Sequence, residues 1–214
     1  MRIVATSDTH FVPTLEIPDG DVFIHAGDLM TDGYPSEWKE RVDWLASLPH
    51  KVKIFVAGNH DFHLQVYPGP ALQNLRAAGV LVVGRPAFRE VVELPNGMNL
   101  LGLPGVSEMR NWAFNRSEVD MIKHVGDLTH AGRVDIIVSH TPVKGILDFS
   151  DRDNTHAGIG AYRSILANCK PSVWICGHIH EAYGTAEYGD CKFYNVAMCN
   201  RRGEHVNPPL VLDI

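Results

Sequence analysis

Long hydrophobic runs are missing from this sequence of 214 residues. No apolar stretch approaches the roughly 20 residues that a membrane-spanning helix requires. The apolar segment 2–6 follows Met1 directly, without the longer apolar core and cleavage site of a secretory signal. We therefore expect no membrane partner and a cytoplasmic location.

Paired cysteines are also missing. The four cysteines include no Cys-x-x-Cys motif. In a chain of this length they do not indicate a disulfide framework, so we expect reduced thiols, as in other cytoplasmic proteins. The four are Cys169, Cys176, Cys191 and Cys199.

A third absence concerns positive charge. The chain has 19 lysines and arginines against 25 aspartates and glutamates, so its formal net charge is −6, and no basic run occurs. This balance argues against a groove that binds nucleic acid by neutralising phosphates. It leaves open a small-molecule phosphoester substrate, because bound metal ions can supply positive charge locally. The oligomeric state is not indicated by the sequence.

The composition that remains is that of an ordinary globular protein, 45% hydrophobic and 21% charged. No repeat, low-complexity segment or linker divides the chain, so we expect a single domain over residues 1–214. Short apolar runs alternate with helical patterns in the first 80 residues, which is typical of a sheet with crossover helices. The predicted strands there are 2–6, 21–26 and 51–57, and the predicted helices are 71–78 and one from the N-cap Ser36 to Pro49.

The middle and the end of the chain are richer in strand patterns. Asn96-Gly97 predicts a hairpin turn, and Gly189-Asp190 predicts another. Ser117 begins a predicted helix over about 118–130, and a further helix is predicted near 160–168. The predicted strands are 80–83, 87–94, 98–103, 134–138, 172–176, 182–187, 191–196 and 210–212.

Two histidines, His178 and His180, stand two residues apart directly after the apolar run 172–176. In extended backbone, residues i and i+2 point to the same side, and Gly177 lets the chain turn tightly as it leaves the strand. Imidazole is the commonest protein metal ligand. Taken alone, the pair also fits ordinary surface histidines.

Four other apolar runs end in ligand-type residues. In open α/β sheets, sites form outside the carboxyl ends of strands, so these ends would bring carboxylate and amide oxygens close to several imidazoles. A set without thiolate suits two borderline or hard divalent cations. A carboxylate between them permits the spacing of roughly 3.5–4 Å that serves phosphate-ester hydrolysis. The residues concerned are Asp8 and His10, Asp28, Asn59 and His60, His140, and His178 and His180.

Each motif has an ordinary explanation when it stands alone. Asp8-Thr9-His10 and Gly27-Asp28 are common turn sequences, and His140 before Thr-Pro carries little information. Gly58-Asn59-His60-Asp61 is more specific, because four turn-type polar residues follow an apolar strand. The joint occurrence in this order favours a metal site. The other histidines without partners are expected to be structural or exposed: His25, His50, His63, His124, His130 and His205.

The sequence resembles the calcineurin-like metallophosphoesterase superfamily over nearly its whole length. The motifs that carry the resemblance are Asp8-Thr9-His10, Gly27-Asp28, Gly58-Asn59-His60-Asp61, His140 and Gly177-His178-Ile179-His180. Within the superfamily, the chain is similar to the small metallophosphoesterase-domain (MPPED-type) phosphodiesterases. That similarity is carried by Ser7-Asp8-Thr9-His10, Asn111-Trp112-Ala113-Phe114-Asn115, Ser139-His140-Thr141-Pro142, and Gly177-His178-Ile179-His180-Glu181 followed by Tyr183-Gly184.

The resemblance implies an α/β fold of four layers, with two facing mixed β-sheets flanked by α-helices. It also implies two divalent metal ions that share Asp28 as a bridge. Mn²⁺ is the ion that we expect first, with Fe, Zn, Ni or Co as alternatives. By the family pattern, Asp8, His10, Asp28 and His180 bind one ion, and Asp28, Asn59, His140 and His178 bind the other.

The expected activity is hydrolysis of a small nucleotide-like phosphodiester, such as a cyclic nucleotide. Two metal ions would lower the pKa of a bridging water and give hydroxide near neutral pH. His60 is the candidate acid for the leaving alkoxide, with Asp61 as its orienting partner, and Asn59 would help to hold the phosphate oxygens. The candidate substrate wall is Asn111, Trp112, Phe114 and His156.

An aromatic face in that wall can stack on a base, although Trp112 and Phe114 fit a plug under a long loop equally well. A phosphomonoesterase and a metal-binding scaffold without catalysis remain as alternatives. Protein phosphatases of the superfamily place arginines around the metal motifs, whereas no arginine adjoins Gly27-Asp28 here. This departure disfavours a phosphoprotein phosphatase, and the intact ligand set with His60 disfavours a scaffold.

Overall fold

Strands dominate the part of the chain that the computed structural model describes, which is residues 1–10, 15–84, 91–107, 109, 111–121, 123 and 133–214. The strands are β1 (Arg2–Thr6), β2 (Val22–His25), β3 (Val52–Phe55), β4 (Val80–Val82), β5 (Val91–Glu93), β6 (Asn99–Leu103), β7 (Val106–Ser107), β8 (Asn115–Arg116), β9 (Ile136–Ser139), β10 (Phe149–Ser150), β11 (Thr155–His156), β12 (Val173–Cys176), β13 (Gly184–Tyr188), β14 (Cys191–Asn195) and β15 (Leu210–Asp213). The helices are α1 (Pro35–Ser47), α2 (Phe62–Val66), α3 (Pro68–Ala77) and α4 (Tyr162–Cys169), with a 3₁₀ turn at His180–Ala182.

Two mixed sheets hold most of these strands. The first has the order β15-β1-β2-β3-β4, in which only β15 runs antiparallel to its neighbour. The second has the order β13-β14-β12-β9-β6-β5, with parallel pairing from β14 to β6 and antiparallel strands at both edges. Each sheet therefore directs the carboxyl ends of its central strands toward one edge.

Three apolar layers show how the sheets and helices stack. Side chains of the first sheet meet those of the second in one cluster, which includes Ile24, Ile54, Val138 and Ile175. A second cluster packs α1 and α3 on the outer face of the first sheet. A third packs α4 on the outer face of the second sheet. The order helix, sheet, sheet, helix confirms the predicted four-layer α/β fold.

Local signals explain the bounds of α1. Pro35 occupies the first turn, where its missing N–H costs nothing. The Glu37 carboxylate accepts N–H bonds from Thr31, Asp32 and Gly33 at the entrance to the helix. At the other end, Lys53 Nζ donates to the carbonyls of Leu45 and Ala46, at 3.0 and 3.3 Å. The predicted cap at Ser36 is wrong, because Tyr34 holds the N-cap position and makes no side-chain cap bond.

Short elements account for the other differences from the sequence-based expectation. Helix α2 was not predicted, since five residues are too few to show a helical period. The loop before α4 contains the paired strands β10 and β11, again two residues each. Of the helix predicted over 118–130, residues 118–121 and 123 are helical, and the remainder, with His124 and His130, lies outside the described residues. Of the strand predicted over 87–94, the structure describes β5 and residue 94.

Among the described residues, no helix is long and apolar enough to cross a membrane.

One buried histidine belongs to the core and not to the site. His25, at 0% exposure, is surrounded by Phe23, Trp44 and Phe55. Its Nε2 lies 2.9 Å from Thr9 Oγ1. Burial lowers the pKa of His25 to about 3, because the aromatic cage cannot solvate an imidazolium.

His25 should therefore make the fold sensitive to acid. The folded-state pKa lies below the unfolded value of about 6.5, so the unfolded chain binds the extra proton as the pH falls. Linkage gives a loss of about 2 kcal/mol between pH 7 and pH 5 from this group alone. Glutamine at position 25 cannot titrate. In urea unfolding with a chelator present, the free energy of unfolding of His25→Gln should therefore fall between pH 7 and pH 5 by about 2 kcal/mol less than that of the wild-type protein. Parallel pH profiles for the two proteins would contradict this assignment.

Candidate metal centre

The candidate ligands follow the carboxyl ends of five parallel strands. Asp8 and His10 follow β1, Asp28 follows β2, and the remaining ligands follow β3, β9 and β12. Two contacts join the ends of the two sheets: the N–H of His178 donates to Asp8 Oδ2 at 2.9 Å, and Nδ1 of His140 lies 2.9 Å from the Ala26 carbonyl oxygen. The two sheets thus contribute to one continuous site.

Three overlapping groups of side chains present ligand atoms within 4.8 Å of one another. His10 is common to the first and second groups, and Asp28 is common to the second and third, so the groups form a chain rather than separate clusters. The groups are Asp8, His10 and His180; His10, Asp28 and His60; and Asp28, His140 and His178.

The shortest contacts lie at the two ends of this chain of groups. His180 Nε2 is 3.2 Å from Asp8 Oδ1. His140 Nε2 is 3.3 Å from Asp28 Oδ2 and 3.0 Å from Asn59 Oδ1. Each end therefore combines imidazole nitrogens with oxygen donors, the combination that the sequence predicted for a divalent cation.

Backbone carbonyls hold the second nitrogen of most of the imidazoles. The Nδ1 atoms of His10, His140 and His180 lie 3.0, 2.9 and 3.1 Å from the carbonyl oxygens of Met30, Ala26 and Asn200. A carbonyl can only accept, so each Nδ1 carries a proton, and Nε2 is the nitrogen that faces the site and can bind a metal once the ring is neutral. Carbonyl support of this kind is the usual outer-shell arrangement of metal-binding histidines.

Left-handed backbone aims several of the ligands. Asp8, His10, Asp28 and His178 have φ values of +52°, +43°, +56° and +67°. Residues with a side chain adopt this region at a cost of about 1–3 kcal/mol, and such strain gathers at functional sites. The sequence argument for His178 and His180 assumed extended backbone, and the turn at His178 corrects it. Because of that turn, the two imidazoles diverge, one to the Asp8 group and one to the Asp28 group.

Two glycines are required by close approach. A Cβ on Gly177 would lie 1.8 Å from Ser7 Oγ and 2.3 Å from Asp8 Oδ2. A Cβ on Gly58 would lie 2.2 Å from Asp28 Oδ1. The sequence predicted that Gly177 serves a tight turn. Its φ is not positive, so glycine is needed here because a side chain would displace the Asp8 carboxylate.

Asp61 has a different position from the expected one. Its carboxylate is fully buried and accepts four backbone N–H bonds, from Gly58, Asp28, Leu29 and Met30, at 2.7 to 3.2 Å. Burial and the nearby Asp28 carboxylate raise its pKa, and the four donors oppose that effect. The ring of His60 is held by the Thr31 carbonyl through Nδ1 and not by Asp61. Asp61 thus orients the segments that carry Asp28 and Asn59.

The electrostatics of the site favour positive charge between the carboxylates. Burial opposes a charged imidazole, yet Asp28 raises the pKa of His140 to about 9, and Asp8 raises that of His180 to about 9. Burial also opposes ionisation of Asp8 and Asp28, but these histidines hold both carboxyl pKa values below the ordinary range. Burial and the neighbouring His140 lower the pKa of His178 to about 4.

These residues fit divalent metal ions. Convergent imidazole nitrogens, two buried carboxylates and one amide oxygen meet within coordination range, and no thiolate lies among them. The lowered pKa of His178 leaves its ring neutral at ordinary pH, whereas His140 and His180 would each release a proton when a cation binds. His60 faces the same space, with Nε2 at 3.9 Å from Asp28 Oδ2.

An open pocket of about 660 Å³ lies over the site. Trp112 forms part of its wall, and its ring centroid is 4.4 Å from that of His60. Arg152 and Arg201 also line the pocket. Sequence reasoning missed both arginines, because they lie outside the metal motifs and nothing local marks them as neighbours of the site.

Three members of the predicted substrate wall do not line this pocket. Phe114 is 7% exposed and packs in the core with α1 and α3, so for Phe114 the plug interpretation holds and the wall assignment is wrong. The exposed Asn111 is not among the lining residues. His156 is held 2.6 Å from Asp148 by its Nδ1, with its ring against Phe149. Trp112 and Asn59 are the wall residues that reach the pocket.

Comparisons with known sequences show the family of the chain. A family model described as calcineurin-like phosphoesterase matches residues 1–182. The human metallophosphoesterase domain-containing protein 1 is 30% identical over 231 residues, covering 100% of this chain and 71% of that protein. UPF0046 protein C25E10.12 of Caenorhabditis elegans is 29% identical over 233 residues, and the alignment covers 100% of this chain and 81% of that protein.

Solved structures share the fold at low sequence identity. TT1561 of Thermus thermophilus aligns with a TM-score of 0.64 and 13% identity, over 92% of this chain and 88% of that one. GAP50, described as the anchor in the inner membrane complex of Plasmodium, aligns with a TM-score of 0.54 and 10% identity, over 92% and 71%. Identities this low speak for the fold alone.

His178 and His180 should have separate effects on metal binding. His180→Ala should weaken the site that contains Asp8, and His178→Ala the site that contains Asp28. Residues that share one ion are non-additive, and residues on different ions are nearly additive. Calorimetric titration with Mn²⁺ should therefore show that His180→Ala adds little in an Asp8→Asn background, whereas His178→Ala retains its full effect. The reverse pattern would exchange the two assignments.

Asp61→Asn should loosen the site without removing a ligand. The amide NH₂ would face backbone N–H donors, and each unsatisfied buried group costs about 1–3 kcal/mol. We expect a loss of stability of that size in urea unfolding, together with fewer metal ions per chain by elemental analysis. Asp43→Asn, at an exposed i,i+4 pair with Lys39, is the matched control and should change neither. Full metal content in Asp61→Asn would show that the Asp28 segment does not need this clamp.

Proposed function

The chain belongs to the calcineurin-like phosphoesterase family and is a metal-dependent phosphoesterase, and on that premise we propose that it is a phosphodiesterase for small nucleotide-like substrates, including cyclic nucleotides. The family that the motifs predicted is confirmed by the match over residues 1–182 and by the similarity to metallophosphoesterase domain-containing protein 1. Hydrolysis of esters with alkoxide leaving groups is supported by the placement of one residue, His60.

His60 is positioned as a proton donor. Its Nδ1 is fixed by the Thr31 carbonyl, its ring contacts Trp112, and its Nε2 faces the pocket beside Asp28. An alkoxide leaving group must take up a proton as its bond to phosphorus breaks, and a positioned imidazole can deliver it. This arrangement suits esters of nucleosides and other alcohols, whose alkoxides are poor leaving groups.

Bound divalent cations would lower the pKa of water and neutralise charge on phosphate oxygens. Asp8, His10 and His180 would hold one ion, His140, His178 and Asn59 the other, and Asp28 would join them. Oxygen and imidazole donors suit Mn²⁺, which we propose as the first ion to test beside Fe, Zn, Ni and Co. Trp112 offers an aromatic face to a base. A small-molecule substrate is consistent with the size of the pocket.

A second candidate function is phosphomonoester hydrolysis. The departure noted in the sequence was the absence of arginine beside the metal motifs, yet Arg152 and Arg201 reach the pocket from distant segments. Guanidinium groups hold phosphate dianions well. Comparing a nucleoside monophosphate with a 2′,3′-cyclic and a 3′,5′-cyclic nucleotide at equal metal concentration separates the two functions. A preference for the monophosphate would overturn the diesterase proposal.

The importance of His60 should depend on the leaving group. A general acid contributes roughly 10²- to 10⁴-fold, so His60→Ala should reduce kcat/KM for a cyclic nucleotide within that range. Bis-p-nitrophenyl phosphate should lose far less, because p-nitrophenolate departs without a proton. The measurement is made at saturating metal, and elemental analysis of His60→Ala checks for a ligand role. Equal losses on both substrates would mean that His60 is not the acid, provided that chemistry limits both reactions.

A further inference from the structure

A second cavity of about 400 Å³ adjoins the pocket over the metal centre. The two share His180, Glu181 and Arg201 as a common wall. Beyond that wall, the second cavity is formed largely by residues 200–207, which we call the arginine loop. The second cavity therefore lies directly beside the metal centre, next to His180.

Two arginines and one glutamate line the second cavity, so the formal charge of these lining residues is +1. The guanidinium groups of Arg201 and Arg202 form no hydrogen bond or ion pair within the described part of the chain. Glu181 accepts the N–H of Asp151 at 2.9 Å and Glu204 accepts Asn200 Nδ2 at 2.7 Å, so neither carboxylate is paired with these arginines. The two guanidinium groups therefore remain available as donors to an anion beside the site.

The arginine loop is a built structure. Asn200 Oδ1 accepts the backbone N–H groups of Arg202 and Glu204, at 2.8 and 3.1 Å. The Asn200 carbonyl accepts Nδ1 of His180 at 3.1 Å. The backbone of both arginines is thereby fixed relative to a candidate metal ligand.

The remaining lining residues of the second cavity suit a nonpolar part of a ligand, lying between one charged group at the metal centre and another at the arginines. Tyr183 has its hydroxyl bound to the Pro208 carbonyl at 3.1 Å, which fixes the ring. Val206 is 58% exposed and adds an apolar surface. A compact cyclic nucleotide at the metal centre would leave this surface and Arg202 unused.

We infer that the second cavity is a subsite for the far arm of the substrate, and that this arm carries a second phosphate that Arg201 and Arg202 bind. The inference rests on the proposed function, and it narrows the substrate class to small nucleotides with two phosphate groups, one esterified at the metal centre and one terminal.

Two esters with the same leaving group test the subsite: the p-nitrophenyl ester of thymidine 5′-phosphate, and the same ester with a 3′-phosphate. The wild-type protein should favour the second through KM. Arg202→Gln, which changes a residue of the second cavity alone, should reduce that preference on the order of tenfold. The double variant Arg201→Gln/Arg202→Gln should abolish it. Arg76→Gln at the end of α3, outside both cavities, matches the charge change and should preserve it.

Binding separates failure of the subsite from failure of the diesterase function. Calorimetry with thymidine 3′,5′-bisphosphate and thymidine 5′-monophosphate, in the presence of Mn²⁺, needs no turnover. Tighter binding of the bisphosphate that is lost in Arg202→Gln and kept in Arg76→Gln supports the subsite even if neither ester is hydrolysed. Equal affinity of the wild-type protein for both nucleotides overturns it, as does an equal loss in Arg76→Gln, which would indicate only long-range electrostatics.

Discussion

Two carboxylates that are almost completely out of water are the constraint on which the rest of the site depends. Asp8 and Asp28 are 0% and 2% exposed, and a buried carboxylate without compensation costs several kcal/mol. Every element around them supplies hydrogen-bond donors or space. The backbone turns at positive φ to aim them, and glycines without side chains let neighbouring segments approach. Nε2 atoms and backbone N–H groups converge on their oxygens from His60, His140, His178 and His180.

The sequence indicated the candidate ligands because each of them closely follows the end of an apolar strand. A polar residue directly after an apolar strand is visible in the chain, and parallel strands bring such ends together. The conformation that aims the ligands is not visible in this way, since Asp8, Asp28 and His178 enter left-handed backbone only under tertiary constraint. For the same reason Asp61 was misassigned. Its neighbour in sequence is His60, but its four partners are backbone N–H groups from two different strand ends.

The pocket wall was the least predictable part. Its residues come from segments far apart in the chain, including the β10–β11 pair with Arg152, and a two-residue strand leaves no period to detect. Phe114 shows the opposite error. An aromatic residue in a polar segment suggested a stacking surface, but its backbone N–H is bound by Gln65 and its ring fills the apolar layer beneath the helices. The metal ligands and the wall therefore depend on different segments of the chain.

Thr9 separates Asp8 from His10, and its hydroxyl and carbonyl groups are both engaged. Its hydroxyl meets His25, and its carbonyl accepts Nε2 of His205 at 2.9 Å. His205 belongs to the arginine loop, whose other end holds His180 through the Asn200 carbonyl. The loop therefore contacts the Asp8–His10 segment through Thr9 and contacts His180 through Asn200, and these segments carry one candidate metal group. Linkage between binding events is reciprocal. If a cation at His180 orders this loop, an anion bound to the loop must raise the affinity for the cation by the same factor, and metal affinity and substrate affinity would be coupled through residues 200–207.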